Sequence, residues 1–465
     1  FWLSFGAVAA ILYAMKDSSG LLGVPTGREL EAPLISRLMQ ACREACRVQA
    51  VVTIALLPIT LFWFYQVSIV SPLANAFAIP VVSYIVTPLA IGGALLPEFF
   101  GKWLLMPAHA VMEYLAILLE WMASWSWAVV WSSQPLWWML LPSIMGIIYA
   151  IQPGELSVSW RSRLCALIPT AILFMPWSNF ISATLRPGEF RATVLDIGQG
   201  TAVLIEAASK RLLYDTGPIQ GKGDDAGQRT ILPYLRGRGI HQIDRMVISH
   251  SDSDHVGGAA SLLKQIVFNE MMGSLPSDNP LLQNLSARKV PSIPCRYGQR
   301  WIWDEVEFVI WHPHEFTNFQ KQYPMKPNEM SCVLEVRNKS ASFWLTGDVE
   351  RQGEAEITER LDAVMLNEIG DRQIIFMAPH HGSKTSSSIE LLNALEPNLA
   401  FAQNGYRNRY GHPHPMVTAR YKSLDIPFYQ TPETGAQIWT FRTDLSSASR
   451  RFMRWDGGRL WHRQD

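Results

Sequence analysis

Residues 244–258 read DRMVISHSDSDHVGG, and the order of residue types in that stretch decides the fold of the second half of the chain. Met246, Val247 and Ile248 make an apolar run with the length and branching of a buried strand. The run leads straight into His250, Asp252, Asp254 and His255, four groups within six residues. A strand end holds its side chains rigidly, so these groups converge, and imidazoles and carboxylates crowded there without partners would be costly. A bound cation removes that cost. The mixed nitrogen and oxygen donors suit one or two divalent ions able to polarise a substrate oxygen and acidify water. Gly257 and Gly258 then open AASLLKQI, which reads as a helix whose N-terminus points back at the site and favours an anionic ligand.

Outward from this motif the strand pattern continues in both directions. From Arg191, the segments RATVLDIGQG, TAVLIE and RLLYDTGP read as consecutive strands with Gly-rich corners. Downstream, SCVLEVRNKSASFWLTGD reads as a strand pair ending on Asp348, and IIFMAPHHGSKTSSS as a strand delivering His380 and His381. His312 and His314, separated by Pro313, fit a turn better than a ligand pair. His412 and His414, following Asn404 and Arg407, are placed as phosphate contacts or as an acid for a leaving group. Lys384 and the run Ser386–Ser388 offer a further phosphate contact, against the plainer reading of a solvated loop.

Before residue 186 the composition is of another kind. Residues 1–185 hold only 16 of the 80 Asp, Glu, Lys and Arg residues and 11 of the 18 Trp. Uncharged gaps run from Arg47 to Glu98, from Glu120 to Glu155 and from Arg163 to Arg186. Each can hold at least one membrane-spanning helix, which needs about 20 mostly apolar residues. Spans are expected at about 1–16, 48–68, 73–96, 103–124, 136–152 and 164–182. Arg28, Arg37 and Arg43 in the first loop, Lys102 in the third, and Arg161 and Arg163 in the fifth set those loops on the cytoplasmic side, which leaves residues 186–465 outside. Trp125, Trp127, Trp131, Trp137 and Trp138 then fall at the outer interface. Residues 30–47 have the spacing of a surface-lying amphipathic helix, against the plainer reading of a connecting helix. Pro80, Pro88, Gly92 and Gly93 interrupt the third span, as happens beside a wet path, and His109, Glu113 and Glu120 share a face of the fourth and are read as lining a pore, against the plainer reading of an interhelical polar contact.

Net charge is +0, an average over two unlike domains. Residues 401–465 carry ten Lys and Arg against five acids, with Arg450, Arg451, Arg454, Arg459 and Arg463 crowding the end, which fits a phosphate-contacting patch or a solvated tail. Five cysteines in separate segments read as packing residues rather than a disulfide framework. The chain begins in helix-like sequence at Phe1 without an initiator Met, which reads as a piece of something longer.

The string H-x-D-x-D-H-x-G-G at His250–Gly258 resembles the signature of the metallo-β-lactamase superfamily, with Asp252 where most members carry a second His. Three blocks in the superfamily's order and spacing make the match specific. Within it, DIGQG, SHSDSDHVGG, LTGD, APHHGS and NRYGHPHP resemble the extracytoplasmic hydrolase domain of ComEC-family competence proteins. FWLSFGAVAAILYA and NAFAIPVVSYIVTPLA resemble that family's transmembrane domain. The resemblance implies an α-helical multi-spanning membrane bundle over residues 1–185 and an α/β metallo-β-lactamase fold, an αββα sandwich, over 188–465. The family's upstream helices and OB-like domain have no counterpart here.

The resemblance also implies metal ligands. One site would take His250, Asp252 and a shared Asp348, and the other Asp254, His255, Asp348 and His380. Where the superfamily supplies another His, this chain has Asn328, Glu329 and Ser331, which weakens the first site. Carboxylate in place of imidazole shifts preference from zinc toward manganese or magnesium. Asp254, His381, His412 and Lys384 are the candidates for catalytic contacts. The implied function is DNA internalisation in natural transformation: a channel for single-stranded DNA with an attached metal-dependent nuclease that degrades the strand not transported. It would reside in the inner (plasma) membrane. DNA, the lipid bilayer, a DNA receptor and an ATP-driven translocase are the implied partners, since the chain has no P-loop of its own. Two alternatives stay open: a DNA channel with a catalytically degenerate domain, and a membrane-tethered hydrolase of small molecules.

Overall fold

The computed structural model describes residues 2–14, 33–125, 127–152, 159–175, 184–221, 223–314, 326–368, 372–443 and 448–457. They form two compact units, the first over Phe1–Ser182 with Arg236–Gly239 and the second over Ala183–Leu235 with Ile240–Asp465.

In the first unit three helices are long and apolar enough to cross a membrane: Cys42–Phe64, Ser71–Leu95 and Glu98–Ala123. Leu3–Ala14 and Trp137–Ala150 are shorter apolar helices. The expected surface helix at 30–47 is corrected, because Leu34–Phe64 is one continuous helix of 31 residues. From Leu34 to Leu57 no Pro or Gly stops it, and at Pro58 the Thr60 hydroxyl donates to the carbonyls of Leu56 and Leu57. The third expected span is not broken either. Pro80 and Pro88 each remove a backbone donor, and the helix widens between them into one π turn, Val82–Val86, before continuing as Thr87–Leu95. The expected sixth span is divided into Trp160–Ala166 and Ile168–Ile172. Pro169 cannot extend the ladder of the first piece and instead sits in the first turn of the second. Residues 176–182 of that span and most of the first loop, including Arg28, lie outside the described residues.

The Trp-rich segment contains an unexpected strand. Val129–Trp131 pairs antiparallel with Gln66–Ser68, so the chain leaving the helix at Phe64 and the chain leaving the helix at Ala123 meet at one end of the unit. His109, Glu113 and Glu120 are all exposed on Glu98–Ala123.

The second unit has two mixed sheets. The eight-stranded sheet runs in the order 292–294, 267–273, 242–248, 211–214, 203–206, 190–194, 437–441, 449–452. The seven-stranded sheet runs 300–303, 306–312, 333–337, 341–345, 373–377, 399–402, 428–430. Alternation along each strand sends side chains to two cores. Phe343 and Leu345 face Phe190, Val194, Val203 and Tyr214 between the sheets, whereas Trp344 turns outward. The outer face of the second sheet is covered by Leu361, Leu391, Val417 and Tyr421 from three helices, and that of the first by Leu235, Leu262 and Leu285. The result is the αββα order of layers.

Two expectations fail here. AASLLKQI forms only the four-residue helix Ala259–Leu262, because the next strand begins at Val267, so no long helix dipole faces the site. Cys295 and Cys332 form a disulfide with Cα atoms 5.9 Å apart, while Cys42, Cys46 and Cys165 are exposed rather than packed. Residue spacing could not show the bond, since it depends on the edge of one sheet meeting the start of a strand in the other.

Candidate metal centre

The parallel strands deliver the polar groups at their C-terminal ends. Gln242–Ile248 runs into Ser249 and His250, and a one-turn helix, Ser253–Val256, carries Asp254 and His255. Asp348 follows Ala341–Leu345, and His381 follows Gln373–Met377. Asp254, His255, Asp348 and His381 each offer a ligand atom, and those atoms all lie within 4.8 Å of one another. Asp254 Oδ2 is 3.2 Å from His381 Nε2, and His381 Nε2 is 3.6 Å from Asp348 Oδ2.

Each imidazole is held from behind. His255 Nδ1 lies 2.7 Å from Asp215 Oδ2, and His381 Nδ1 lies 2.7 Å from the Gln403 carbonyl. A carboxylate and a carbonyl only accept, so both Nδ1 atoms carry a proton and both Nε2 atoms face the cluster, as lone pairs once the rings are neutral. Asp215 also accepts from the Ser249 amide and hydroxyl, each at 2.7 Å. With its proton given to Asp215, Ser249 Oγ accepts from His250 Nδ1 at 3.0 Å. His250 Nε2 is then a third inward lone pair, buried, 3.6 Å from Asp252 Oδ2. The Asp348 amide donates to Ser331 Oγ. Gly347, at φ 53°, brings this turn against Ser249, where an added Cβ would lie 2.8 Å from the serine Cβ.

These residues fit a divalent ion. His255 Nε2 and Asp348 Oδ1 are 3.0 Å apart, yet neither has a hydrogen-bond partner, and His250 Nε2 is equally orphaned. Buried acceptors aimed at one point without a donor between them are costly unless a cation is shared. The charges agree. Burial would push the Asp254 carboxyl up, but the hydrogen bond from His381 and the nearby imidazoles outweigh it and hold the group well below the usual carboxylate range. Asp348 is lowered in the same way against its burial, chiefly by His255 and His381. Burial opposes charge on His255 and His381 too, and Asp348 with Asp215 or Asp254 raises both.

The assignment of the paired histidines is corrected. His381 stands in the cluster, whereas His380 lies at its rim, with Nδ1 3.3 Å from Glu350 and Nε2 3.7 Å from Asp348. Both residues are left-handed, with φ of 51° and 54°, and this double turn swings the second ring inward. Asp252 is half exposed and outside the four-atom group. Lys384 is exposed. The serines after it are committed to structure: Ser386 Oγ donates to the Pro379 carbonyl, Ser387 Oγ accepts from the Tyr421 hydroxyl, and Ser388 caps Ile389–Leu395. His414 caps Pro415–Ser423, its Nδ1 accepting from the Met416 amide. His412 does approach the centre, 5.5 Å from the His380 ring and 6.4 Å from the His381 ring. Burial and those two imidazoles lower its pKa to about 4.

Asp215, Ser249 and the Gln403 carbonyl hold these imidazoles from behind, and the motif at His250–Gly258 does not single them out. Asp215 alone left a trace, as an acid between a strand end and Thr216–Gly217 in YDTGP. A backbone acceptor such as the Gln403 carbonyl leaves none.

The pattern described as Competence protein matches residues 1–156, and that of the Metallo-beta-lactamase superfamily matches residues 195–401. The chain belongs to the competence protein family. Competence protein ComA of Neisseria gonorrhoeae is 31% identical over 445 residues, which cover 94% of this chain and 54% of that protein. ComE operon protein 3 of Bacillus subtilis (strain 168) is 24% identical over 90% of this chain and 54% of its own length. This chain thus spans about half the length of the curated relatives it matches. The metallo-beta-lactamase fold protein YhfI from Bacillus subtilis aligns with 52% of this chain and 95% of its own, at 13% identity and TM-score 0.34. In this competence-family chain a multi-pass membrane unit is thus joined to a metallo-β-lactamase fold that carries a His/Asp metal site.

Proposed function

We propose that the second unit is a metal-dependent phosphodiesterase acting on DNA beside a membrane path for a single strand, the other strand being degraded. The observation that carries this reading is the convergence of Asp254, His255, Asp348 and His381, with His250 Nε2 orphaned behind them, in a competence-family chain. Asp254, His255, Asp348 and His381 would hold one divalent ion, and His250 with Asp252 would help hold a second. The nitrogen and oxygen set fits Mn²⁺ or Zn²⁺, with Mg²⁺ less suited to so many imidazoles. When bound, such an ion polarises a phosphoryl oxygen and makes water acidic near neutral pH. Asp254, kept ionised, is placed to accept a hydrogen bond from an attacking water and orient it. His412, uncharged at neutral pH, can offer a hydrogen bond to the departing oxygen. Lys384 supplies a rim cation for the chain's phosphates.

The Cys295–Cys332 bond supports an extracytoplasmic place for this unit, since disulfides persist in oxidising compartments. Arg161 and Arg163 favour a cytoplasmic loop, in agreement. The inner (plasma) membrane follows as the location. His109, Glu113 and Glu120 would face the wet path. A DNA receptor and an ATP-driven translocase would supply capture and work.

The test is cleavage of labelled single- and double-stranded DNA by the full chain in detergent, with Mn²⁺ or Zn²⁺, beside Asp254→Ala and His255→Ala. Metal-dependent cleavage lost in both variants is the expected result. Absence of cleavage with every metal by folded protein would overturn the nuclease and leave a DNA-conducting chain with a binding domain.

A further inference from the structure

Of the loop 404–414, NGYRNRYGHPH, the proposed chemistry uses only His412, which lies beside the metal centre. Tyr406 and Tyr410 are 50% and 53% exposed, and the loop contains no Asp or Glu. The guanidinium of Arg409 lies 4.8 Å over the Tyr410 ring, and that of Arg407 lies 5.3 Å over Tyr406. The loop is also built. Asn408 donates to the Gly405 carbonyl and accepts from the His412 amide, and Asn404 donates to the His412 carbonyl. From Tyr410 the rings step inward: Tyr410 to His412 at 5.8 Å and 27°, then His412 to His381 at 6.4 Å and 28°. His381 is one of the four converging residues.

We infer that this loop is a nucleotide-gripping subsite, in which a base of a single DNA strand stacks on Tyr410 while the adjoining phosphate reaches the metal centre. The inference rests on the proposed phosphodiesterase reading and adds the element that holds the strand. Two ring steps of 5.8 and 6.4 Å put Tyr410 within reach of the cluster for a short stretch of strand that stacks a base on the tyrosine and carries a phosphate to the centre. An exposed aromatic face accepts any base, so the grip is indifferent to sequence, as degradation of arbitrary DNA requires. Arg409 and Arg407 supply the counter-charge for neighbouring phosphates, and Arg409, which donates to the Tyr410 hydroxyl and lies over its ring, swings aside for the incoming base. A duplex keeps its bases paired and stacked, so the subsite selects single strands.

Binding of a fluorescent oligo-dT to the full chain in detergent with EDTA, read by anisotropy, tests this without cleavage. Tyr410→Ala is expected to weaken binding about 5- to 100-fold, the range that loss of one stacked base produces, while Tyr410→Phe stays near the unaltered chain. An abasic oligonucleotide of the same length should bind the unaltered chain as weakly as oligo-dT binds the alanine variant. Equal binding of abasic and dT strands, or a Tyr410→Ala variant that binds oligo-dT normally, would overturn the subsite. Metal-dependent hydrolysis of bis(p-nitrophenyl) phosphate by the unaltered chain separates the two readings. Base-sensitive binding without hydrolysis would uphold the subsite and sink the hydrolase; hydrolysis with base-insensitive binding would sink the subsite alone.

Discussion

In the first unit His109, Glu113 and Glu120 are strung along one helix, Glu98–Ala123, with all three exposed and no side-chain hydrogen bond or ion pair among the described residues. In the second unit Asp254, His255, Asp348 and His381 come from three strand ends, and three of the four are buried. The two arrangements meet the same problem, ionisable groups in apolar surroundings, by different means. A line of groups on one helix needs something outside it to wet or pair it. A cluster drawn from several strands can be pre-arranged from within, because Asp215, Ser249 and the Gln403 carbonyl hold its imidazoles from behind.

The contrast breaks most sharply at Asp348. Asp348→Ala should lower Mn²⁺ or Zn²⁺ affinity by more than about 100-fold, beyond what outer partners carry, whereas Glu113→Ala should leave it unchanged. Calorimetry on both variants checks this, and normal binding by Asp348→Ala would remove it from the centre. Next in size is the staple between the sheets. Its loop spans 37 residues, so replacing Cys295 and Cys332 together by Ala should cost about 3–4 kcal/mol of the second unit's stability, read from its thermal transition. An unchanged transition would mean that the sheets hold without the bond.

Asp215→Asn should weaken metal binding about 10- to 100-fold while the protein stays folded, since the amide keeps the shape but not the charge behind His255. Loss no greater than twofold would show that the imidazole orients itself. A pH effect of smaller size should accompany this. In the metal-free chain Asp348 and its neighbours raise the pKa of His255 and His381, so ion binding must displace protons. Adding Mn²⁺ at neutral pH should release on the order of one to two protons per chain, and affinity should fall as pH is lowered through the raised imidazole range. Without metal the same raised values stabilise the folded state fully below about pH 6.5, and that contribution is lost as pH rises through them. The smallest effect is expected in the membrane unit. Glu113→Gln with Glu120→Gln should change thermal stability in detergent by less than about 1 kcal/mol and act instead on strand passage. A large gain in stability with unchanged passage would mean that the two carboxylates face lipid.

The tyrosine-bearing loop and the centre differ in how openly the sequence displays them. Tyr406, Tyr410 and their arginines are neighbours along the chain and visible as NGYRNRYGHPH, although their ring steps toward His381 are not. The metal motif shows His250, Asp252, Asp254 and His255 at once, because adjacent residues after a strand necessarily share its end. The choice between His380 and His381 was not visible. Two successive left-handed residues turn the second ring inward, and adjacent identical side chains give no sign of which one the backbone favours.

The sequence by itself determined that a charge-poor apolar half precedes an α/β half, because composition and strand periodicity are local properties. It also determined which strand ends carry metal donors, since motif and strand are contiguous. Tertiary structure decided the rest. It alone joined Leu34–Phe64 into one helix, widened the Pro80–Pro88 segment into a π turn, paired Gln66–Ser68 with Val129–Trp131, and brought Cys295 to Cys332. It alone set Asp215 behind His255, a contact across 40 residues that exists only because the strands ending at Tyr214 and Ile248 lie side by side in parallel.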